Sequence, residues 1–146
     1  MRSAFLLDTT VFVYAVGRDH PHREPCRRLI ERIERGELDG DASVEVVHEF
    51  AHVRLRRTAD RAASLREARA VAALCRLHDL ERRDLELGLE LVERQGLADV
   101  RDGLHAATAL NRGIDLVVSA DRDFDAVDGL VRVDPADAAA VERLAG

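Results

Sequence analysis

Short apolar runs alternate along the chain with longer stretches in which apolar residues recur every three or four positions. Short apolar runs are typical of buried strands, and the wider spacing is typical of helices that pack one face against a core. The apolar runs predict strands at Ala4–Leu7, Leu38–Ala42, Leu80–Arg82, Asp115–Val118 and Leu130–Val133. The spaced stretches predict helices over Val11–Val16, His22–Glu37, Ser43–Arg57, Asp60–His78, Asp84–Gln95, a range that opens at Asp99 or Asp102 and ends at Asn111, and Pro135–Leu144.

Capping residues mark the ends of several predicted helices. Ser43, Asp60 and Asp84 stand where an N-cap side chain would accept a hydrogen bond from the first turn, and Gly96 and Gly113 stand where a helix stops. Predicted strands therefore alternate with predicted helices over the whole chain. This alternation favours an α/β fold, a three-layer α/β/α sandwich with a mostly parallel central sheet.

Composition narrows the class of protein. The chain has 146 residues, 47% of them hydrophobic and 34% charged, so a single folded domain over residues 1–146 is expected. All 22 basic residues are arginine. The absence of lysine excludes Schiff-base enzymes, P-loop proteins, phosphoaspartyl phosphatases and receiver domains, because each class needs a lysine. No apolar run is long enough for a membrane helix or a secretory signal, so the expected location is the cytoplasm.

Charge is distributed unevenly along the chain. The formal net charge is −6, but residues 43–83 carry +3 and residues 84–146 carry −8. An acidic site beside a basic surface is one interpretation of this asymmetry, and a solvated surface of mixed sign is the other.

Five acidic residues are placed near the ends of predicted strands. Asp8 follows the first strand, and Asp121 and Asp123 follow the fourth. Asp102 lies in the first turn of the helix before the fourth strand, and Glu49 lies on the helix after the second. Ligands of such sheets bind beyond the carboxyl ends of the strands, so we expect these acids to converge there. Each could separately be a helix cap, a turn residue or a solvated side chain, but those roles do not explain convergence. Such oxygen ligands favour Mg²⁺ or Mn²⁺ over Zn²⁺.

A second motif suggests different chemistry. His48-Glu49-Phe50-Ala51-His52 has the H-E-x-x-H pattern, which on a helix places two histidines to bind zinc with the glutamate as general base of a metalloprotease. Leu55 and Thr58 stand where the longer metzincin pattern requires glycine and histidine. The protease hypothesis also leaves Asp8, Asp102 and Asp121 without a role.

Four segments resemble the acidic motifs of PIN-domain nucleases. In chain order, they are Leu6-Leu7-Asp8-Thr9-Thr10, Val46-Val47-His48-Glu49-Phe50, Asp102-Gly103-Leu104-His105-Ala106-Ala107-Thr108-Ala109 and Val117-Val118-Ser119-Ala120-Asp121-Arg122-Asp123-Phe124. Their order, their spacing and the chain length are similar to those of the VapC ribonuclease toxins of VapBC toxin–antitoxin pairs. The resemblance runs from Leu6 to about Pro135.

The resemblance implies a metal-dependent endoribonuclease. The catalytic acids would be Asp8, Glu49, Asp102 and Asp121. With Asp123, these residues would hold one or two Mg²⁺ or Mn²⁺ ions, and the polar helpers would be Thr9, Thr10 and Ser119. The enzyme would hydrolyse RNA phosphodiester bonds with a metal-activated water, would form a homodimer and would be silenced by a cognate antitoxin protein.

RNA contacts are expected from the basic stretch rather than from aromatic residues. The candidate phosphate contacts are Arg54, Arg56, Arg57 and Arg61, which are also consistent with ordinary helix-surface charges. The chain contains four phenylalanines, one tyrosine and no tryptophan, so base stacking is not expected to carry recognition. Two alternatives from the residues remain open: a housekeeping RNA-processing nuclease, and a non-catalytic binding module, although no acid of the pattern is missing.

Overall fold

A parallel sheet of five strands lies at the centre of the fold. The structure is a computed structural model that describes residues 2–146, and Met1, the first residue of the expected domain, lies outside them. The strands are β1 (Phe5–Leu7), β2 (Gly40–Ser43), β3 (Arg76–His78), β4 (Leu116–Val118) and β5 (Val131–Val133). Their order across the sheet is β3-β2-β1-β4-β5, and every neighbouring pair is parallel.

Helices cover both faces of this sheet. Within residues 2–146, the α-helices are α1 (Thr9–Val16), α2 (Arg23–Glu34), α3 (Val44–Arg57), α4 (Arg61–Leu74), α5 (Arg82–Gln95), α6 (Val100–Asn111) and α7 (Ala138–Arg143). A short 3₁₀ helix, Arg122–Ala126, follows β4. Over the same residues, every helix falls short of the length and apolar character that crossing a bilayer requires.

Alternate residues of the central strand pack into two separate cores. Phe5 and Leu7 of β1 pack with residues from α1, α2, α3, α4 and α7, whereas Leu6 packs with residues from α5 and α6. This division follows from the two-residue period of a strand, which points successive side chains to opposite faces. The arrangement confirms the predicted three-layer α/β/α sandwich with a parallel sheet.

The third strand lies earlier in the chain than predicted. The prediction of a strand at Leu80–Arg82 is wrong, because the strand is Arg76–His78. The preceding helix was predicted to reach His78, but α4 ends at Leu74 because Cys75 adopts extended backbone angles (φ −100°, ψ 153°). The chain then pairs with β2, and His78 Nε2 lies 2.7 Å from Asp41 Oδ2 across the two strands. The strand is therefore defined by a partner that is distant in sequence, and no apolar run marks it.

Most capping predictions agree with the structure. Ser43 Oγ accepts a hydrogen bond from the first turn of α3, and Asp60 Oδ1 does the same for α4. Gly96 and Gly113 follow α5 and α6 with φ of 71° and 70°, a region that favours glycine. Helices α2 and α7 are shorter than predicted at both ends, and α1 begins at Thr9, two residues earlier than expected.

Asp84 is not the N-cap of α5, as its position suggested, but a bridge between two helices. Glu81 is the N-cap, and its backbone N–H donates to Asp84 Oδ2 at 2.9 Å. Asp84 Oδ1 accepts from Asn111 Nδ2 and Arg112 Nη1, both at 2.9 Å. The Asp84 carboxylate is fully buried, so Arg112 balances its charge and the network fixes the start of α5 against the end of α6.

Helices α5 and α6 meet at two glycines. A Cβ atom on Gly88 would lie 3.0 Å from the carbonyl carbon of Gly103, and a Cβ atom on Gly103 would lie 2.7 Å from Gly88 O. The obstructing atoms belong to backbone and cannot rotate away, so only glycine permits this approach. The contact is next to Asp102 in sequence, and it fixes the first turn of α6.

Replacement of Asp84 by asparagine should destabilise the fold in a pH-dependent way. Burial alone would raise the pKa of Asp84, but hydrogen bonds from Arg112 and Asn111 outweigh burial and lower it. A lowered folded-state pKa stabilises the protein above the unfolded-state value of about 3.9, and this contribution is lost as pH falls through the folded-state pKa. We expect Asp84→Asn to lose about 2–4 kcal/mol of unfolding free energy at pH 7, measured by urea denaturation.

Glu86→Gln is the matched control, because Glu86 is an exposed acid on the same helix. The control should differ from wild type by less than about 0.5 kcal/mol. An Asp84→Asn deficit that stays the same from pH 7 down to the acid end of the range would contradict the charge-based account.

Alanine at position 88 should also destabilise the protein. Alanine normally stabilises a helix by about 1 kcal/mol relative to glycine. At Gly88 the added methyl group would push against the Gly103 backbone, so we expect Gly88→Ala to lower the unfolding free energy by about 1–3 kcal/mol. Unfolding free energies from urea denaturation are compared between Gly88→Ala and Glu86→Ala. Glu86 is exposed on the same helix, so alanine there changes helix propensity without a packing clash. A Gly88→Ala protein as stable as wild type would refute the close contact.

Candidate active site

The candidate site lies where the two central strands end. Strands β1 and β4 are parallel neighbours, and the chain order of the sheet reverses between them, which is where open α/β sheets bind ligands. Asp8 directly follows β1 and Ser119 directly follows β4. Both residues are buried, with 2% and 0% of their surface exposed.

Hydroxyl groups fix Asp8 between the two strand ends. Thr10 Oγ1 donates to Asp8 Oδ2 at 2.6 Å, and Ser119 Oγ donates to the same oxygen at 2.8 Å. Ser119 Oγ in turn accepts from the backbone N–H of Asp121 at 2.9 Å. Two of the three predicted polar helpers, Thr10 and Ser119, therefore contact Asp8, and within residues 2–146 no donor reaches Asp8 Oδ1.

Three further acids converge beside Asp8. Asp102, Asp121 and Asp123 each offer a carboxylate oxygen, and these oxygens lie within 4.8 Å of one another. Asp99 is the N-cap of α6, so the carboxylate of Asp102, in the first turn, is not used for capping. Asp121 caps the 3₁₀ helix by accepting from the backbone N–H of Asp123 at 2.9 Å. We name Asp102, Asp121 and Asp123 the acidic cluster.

Electrostatic repulsion is strong at this cluster. Burial, followed by the charges of Asp8 and Asp121, raises the pKa of Asp102 to about 7. A carboxylate prefers to stay protonated in such surroundings unless a cation compensates the charge. The donor set is made of oxygen atoms alone, which fits a hard divalent cation of the Mg²⁺ or Mn²⁺ type.

Glu49 lies at the margin of the site, beside α6. Its Oε1 is 3.4 Å from His105 Nε2, without hydrogen-bond alignment, and 3.9 Å from Arg101 Nε. The same histidine nitrogen lies 3.3 Å from Thr9 Oγ1, so Thr9 contacts His105 rather than Asp8. Burial alone would raise the pKa of Glu49, but His105, Thr9 and Arg101 outweigh burial and lower it.

His105 belongs to the site although no role was predicted for it from the sequence. It follows Asp102 by one helical turn, which places both on one face of α6, but that spacing is equally typical of a packed core residue. In the structure His105 is completely buried, and burial alone would lower its pKa. Glu49, Asp8 and Asp102 outweigh burial and raise the pKa. His105 is therefore part of the electrostatics of the site.

The two histidines of the H-E-x-x-H motif do not form a metal site with Glu49. The His48 side chain is 75% exposed and its Nδ1 lies 3.1 Å from Glu45 Oε1, whereas the Glu49 side chain is 15% exposed. His52 is also exposed. Across the described part of the chain, the only three-residue group with metal-ligand spacing is the acidic cluster, which contains no histidine. The motif therefore lacks the geometry of a three-ligand zinc site.

The four candidate arginines of the basic stretch fall into two groups. Arg54 and Arg57 line a surface cavity beside α1, while Arg56 and Arg61 are exposed outside it. Arg54 Nε also donates to Glu67 Oε2 at 2.7 Å. Arg54 and Arg57 are three residues apart on α3 and therefore share one face of the helix, whereas Arg56 lies on another face. This helical periodicity could have distinguished Arg56 from the other two in the sequence.

Comparison with known proteins identifies the family. The model of the PIN domain family matches residues 5–130. The chain is 37% identical over 143 residues to Ribonuclease VapC7 of Mycobacterium tuberculosis, a match that covers 97% of each chain.

Solved structures share the fold. The crystal structure of Mycobacterium tuberculosis VapC20, described as a toxin that cleaves the sarcin–ricin loop, has a TM-score of 0.71 at 19% identity, covering 88% of this chain and 98% of VapC20. VapBC2 from Rickettsia felis, bound to a DNA fragment from its promoter, has a TM-score of 0.68 at 17% identity, covering 89% of this chain and 97% of the other. The resemblance that the four sequence segments predicted is confirmed, and the chain belongs to the PIN domain family, in the group that includes the VapC proteins.

Proposed function

We propose that this protein is an endoribonuclease and the toxin of a toxin–antitoxin pair. Its relative VapC7, which matches over nearly the full length of both chains, is named a ribonuclease, and VapC20 is described as a toxin that cleaves the sarcin–ricin loop. The observation that carries the proposal is the acidic cluster, whose three carboxylates lie within 4.8 Å of one another beside the buried Asp8. Its proposed place of action is the cytoplasm, where its RNA substrate would be.

The catalytic assignment follows the geometry of the strand ends. Asp102, Asp121 and Asp123 would hold a divalent cation, Mg²⁺ or Mn²⁺, with Asp8 Oδ1 as a further oxygen ligand. When bound, such a cation polarises a phosphate oxygen and lowers the pKa of a coordinated water. Thr10 and Ser119 orient the Asp8 carboxylate, because both hydroxyls donate to its other oxygen.

Glu49 is assigned a role as a fixed negative charge at the edge of the cluster. Its lowered pKa keeps it ionised at neutral pH, and its buried Oε1 has no hydrogen-bond partner within residues 2–146. A carboxylate with a lowered pKa is a weak base, so Glu49 is assigned no proton transfer, and its Oε1 would be a ligand of a second cation. His105 acts as a positioning residue, because it holds Glu49 from one side and Thr9 from the other.

The proposed antitoxin would cover this acidic site. A surplus of buried and half-buried carboxylates is suited to receive an arginine or lysine side chain from a partner protein. The Rickettsia felis relative is a VapBC complex, which supports an antitoxin partner for this chain. The homodimer expected from the resemblance stays a prediction.

Replacement of Asp102 by asparagine should remove RNA cleavage. We expect at least about a hundredfold loss in cleavage rate, because one cation ligand and its charge are lost from the cluster. The measurement is cleavage of a panel of structured RNAs by purified protein with Mg²⁺, with Mn²⁺ and with EDTA. Wild-type cleavage should require the cation.

Asp125→Asn is the matched control for this experiment. Asp125 belongs to the same 3₁₀ helix as Asp123, but its carboxylate accepts from Arg132 Nε at 2.9 Å, outside the acidic cluster. The control should cleave within about threefold of wild type. Equal cleavage by Asp102→Asn and wild type, or undiminished cleavage in EDTA, would remove the basis for the proposed site.

The same substitution should stabilise the cation-free protein. Asp102 lies near other carboxylates, and within residues 2–146 no basic side chain forms an ion pair with it, so a neutral amide relieves repulsion. In EDTA at pH 8, Asp102→Asn is expected to unfold at a higher temperature than wild type. Added Mg²⁺ should raise the wild-type midpoint more than that of the variant, because only wild type retains the full ligand set. A variant that is less stable in EDTA would contradict this reasoning.

A further inference from the structure

A large surface cavity opens directly beside the acidic site. It has a volume of about 920 Å³ and lies between α1, the loop after α1 and the end of α3. Thr10 lines this cavity and also donates to Asp8 Oδ2 at 2.6 Å. Thr10 therefore borders the cavity and contacts the carboxylate of Asp8. Its volume is in the range of pockets that enclose ligands of small-molecule size.

The cavity has a basic lining in an otherwise acidic protein. Its charged residues are three arginines, Arg18, Arg54 and Arg57, against one aspartate, Asp19, although the whole chain carries −6. Arg54 is partly neutralised by Glu67. Arg18 and Arg57 are exposed, and neither has an ion-pair partner among residues 2–146. Two guanidinium groups are thus free to contact an anion, and such groups suit phosphate.

Stacked rings form another part of the wall. Tyr14 and His20 both line the cavity, and their rings stack with centroids 4.4 Å apart at an interplanar angle of 20°. His22 stacks on both rings, with centroids 5.6 Å from each. The His22 ring is held by Asp134, with 3.0 Å between Nε2 and Oδ1, and the His22 backbone N–H donates to His20 Nδ1. The stack is therefore anchored at two points.

The sequence pointed to Arg54 and Arg57 of this cavity but not to its rings, because two of the three stacked rings belong to histidines. The phenylalanines are buried in the two cores, and Tyr14 alone would offer little area. Histidine rings enlarge that area, since His20 and His22 follow Tyr14 across a loop that folds back over it. Flat rings beside a basic groove are the usual means by which proteins hold single-stranded nucleic acid.

We propose that this cavity binds the single-stranded RNA that flanks the cleaved phosphodiester, with a base against the Tyr14–His20 rings and backbone phosphates on Arg18 and Arg57. The inference rests on the proposed ribonuclease function and names the surface that positions the substrate. Thr10 borders the cavity and contacts Asp8, so a strand held in the cavity would run towards the end of β1, where Asp8 lies. A base in a duplex is already paired and stacked, so the cavity should prefer unpaired RNA.

The test measures RNA affinity separately from cleavage. The probe is a fluorescein-labelled single-stranded RNA of mixed sequence, and binding is followed by fluorescence anisotropy in protein that carries Asp102→Asn to prevent hydrolysis. Tyr14→Leu removes the ring but keeps an apolar side chain, and it should weaken binding at least about fivefold. Tyr14→Phe keeps the ring and should bind within about twofold of the parent. Thermal unfolding confirms that both variants fold.

The arginine contact has its own matched pair on α3. Arg57→Gln should weaken binding and lower the slope of log affinity against log salt by about 0.7, the value for one phosphate contact on a single strand. Arg56→Gln removes the same charge from the neighbouring exposed residue outside the cavity and should leave the slope unchanged. A duplex of the same sequence should bind more weakly than the single strand.

Each result decides the proposal. Selective losses in Tyr14→Leu and Arg57→Gln support it. Unchanged RNA affinity in both variants, equal losses in Arg56→Gln and Arg57→Gln, or a parent protein that binds no RNA would overturn it. Cleavage that depends on Asp102 but is indifferent to the cavity variants would uphold the ribonuclease and reject the cavity. If the wild-type protein cleaves no RNA but its RNA binding depends on the cavity residues, the cavity is upheld as an RNA-binding surface and the ribonuclease function is rejected.

Discussion

Repulsion between carboxylates held at the ends of β1 and β4 is the constraint on which the function of this fold depends. Asp8 is buried, and burial of Asp102 itself, followed by the charges of Asp8 and Asp121, raises the pKa of Asp102 to about 7. Like charges do not assemble in this way unless the surrounding structure holds them. The parallel sheet does so, because neighbouring parallel strands end at the same edge. A divalent cation is the simplest group that turns this repulsion into a favourable interaction.

The rest of the molecule resists the repulsion by fixing each acid separately. Two hydroxyls hold Asp8, and the N-cap at Asp99 frees Asp102 for the site. Helix α6, which carries Asp102, is fixed at its start by the glycine contact with α5 and at its end by the Asp84 network. Stability and function are therefore linked through α6, and damage to its packing against α5 would reach the acidic cluster.

The sequence predicted those features that depend on local pattern. The alternation of apolar runs with helical stretches predicted the sheet and its layers. Asp8 was found because it directly follows a buried strand, and Asp121 because it comes soon after another. Features that depend on distant partners were not predicted. Strand β3 is short and polar and exists through its pairing with β2, Asp84 meets its partners at the far end of α6, and the part played by His105 depends on contact with Glu49 from another helix. A residue packed in the core and a residue of the active site can have the same spacing along a helix, so spacing alone does not distinguish them.

Equilibrium binding of Mn²⁺, followed by the electron paramagnetic resonance signal of the free ion, tests the central claim most directly. It reports on the acidic cluster without needing the correct RNA. The account predicts that wild-type protein binds Mn²⁺, that Asp121→Asn weakens this binding at least about tenfold, and that Asp125→Asn leaves it unchanged. Mn²⁺ affinity that is equal in wild type and Asp121→Asn would contradict the claim that these carboxylates are assembled to hold a cation.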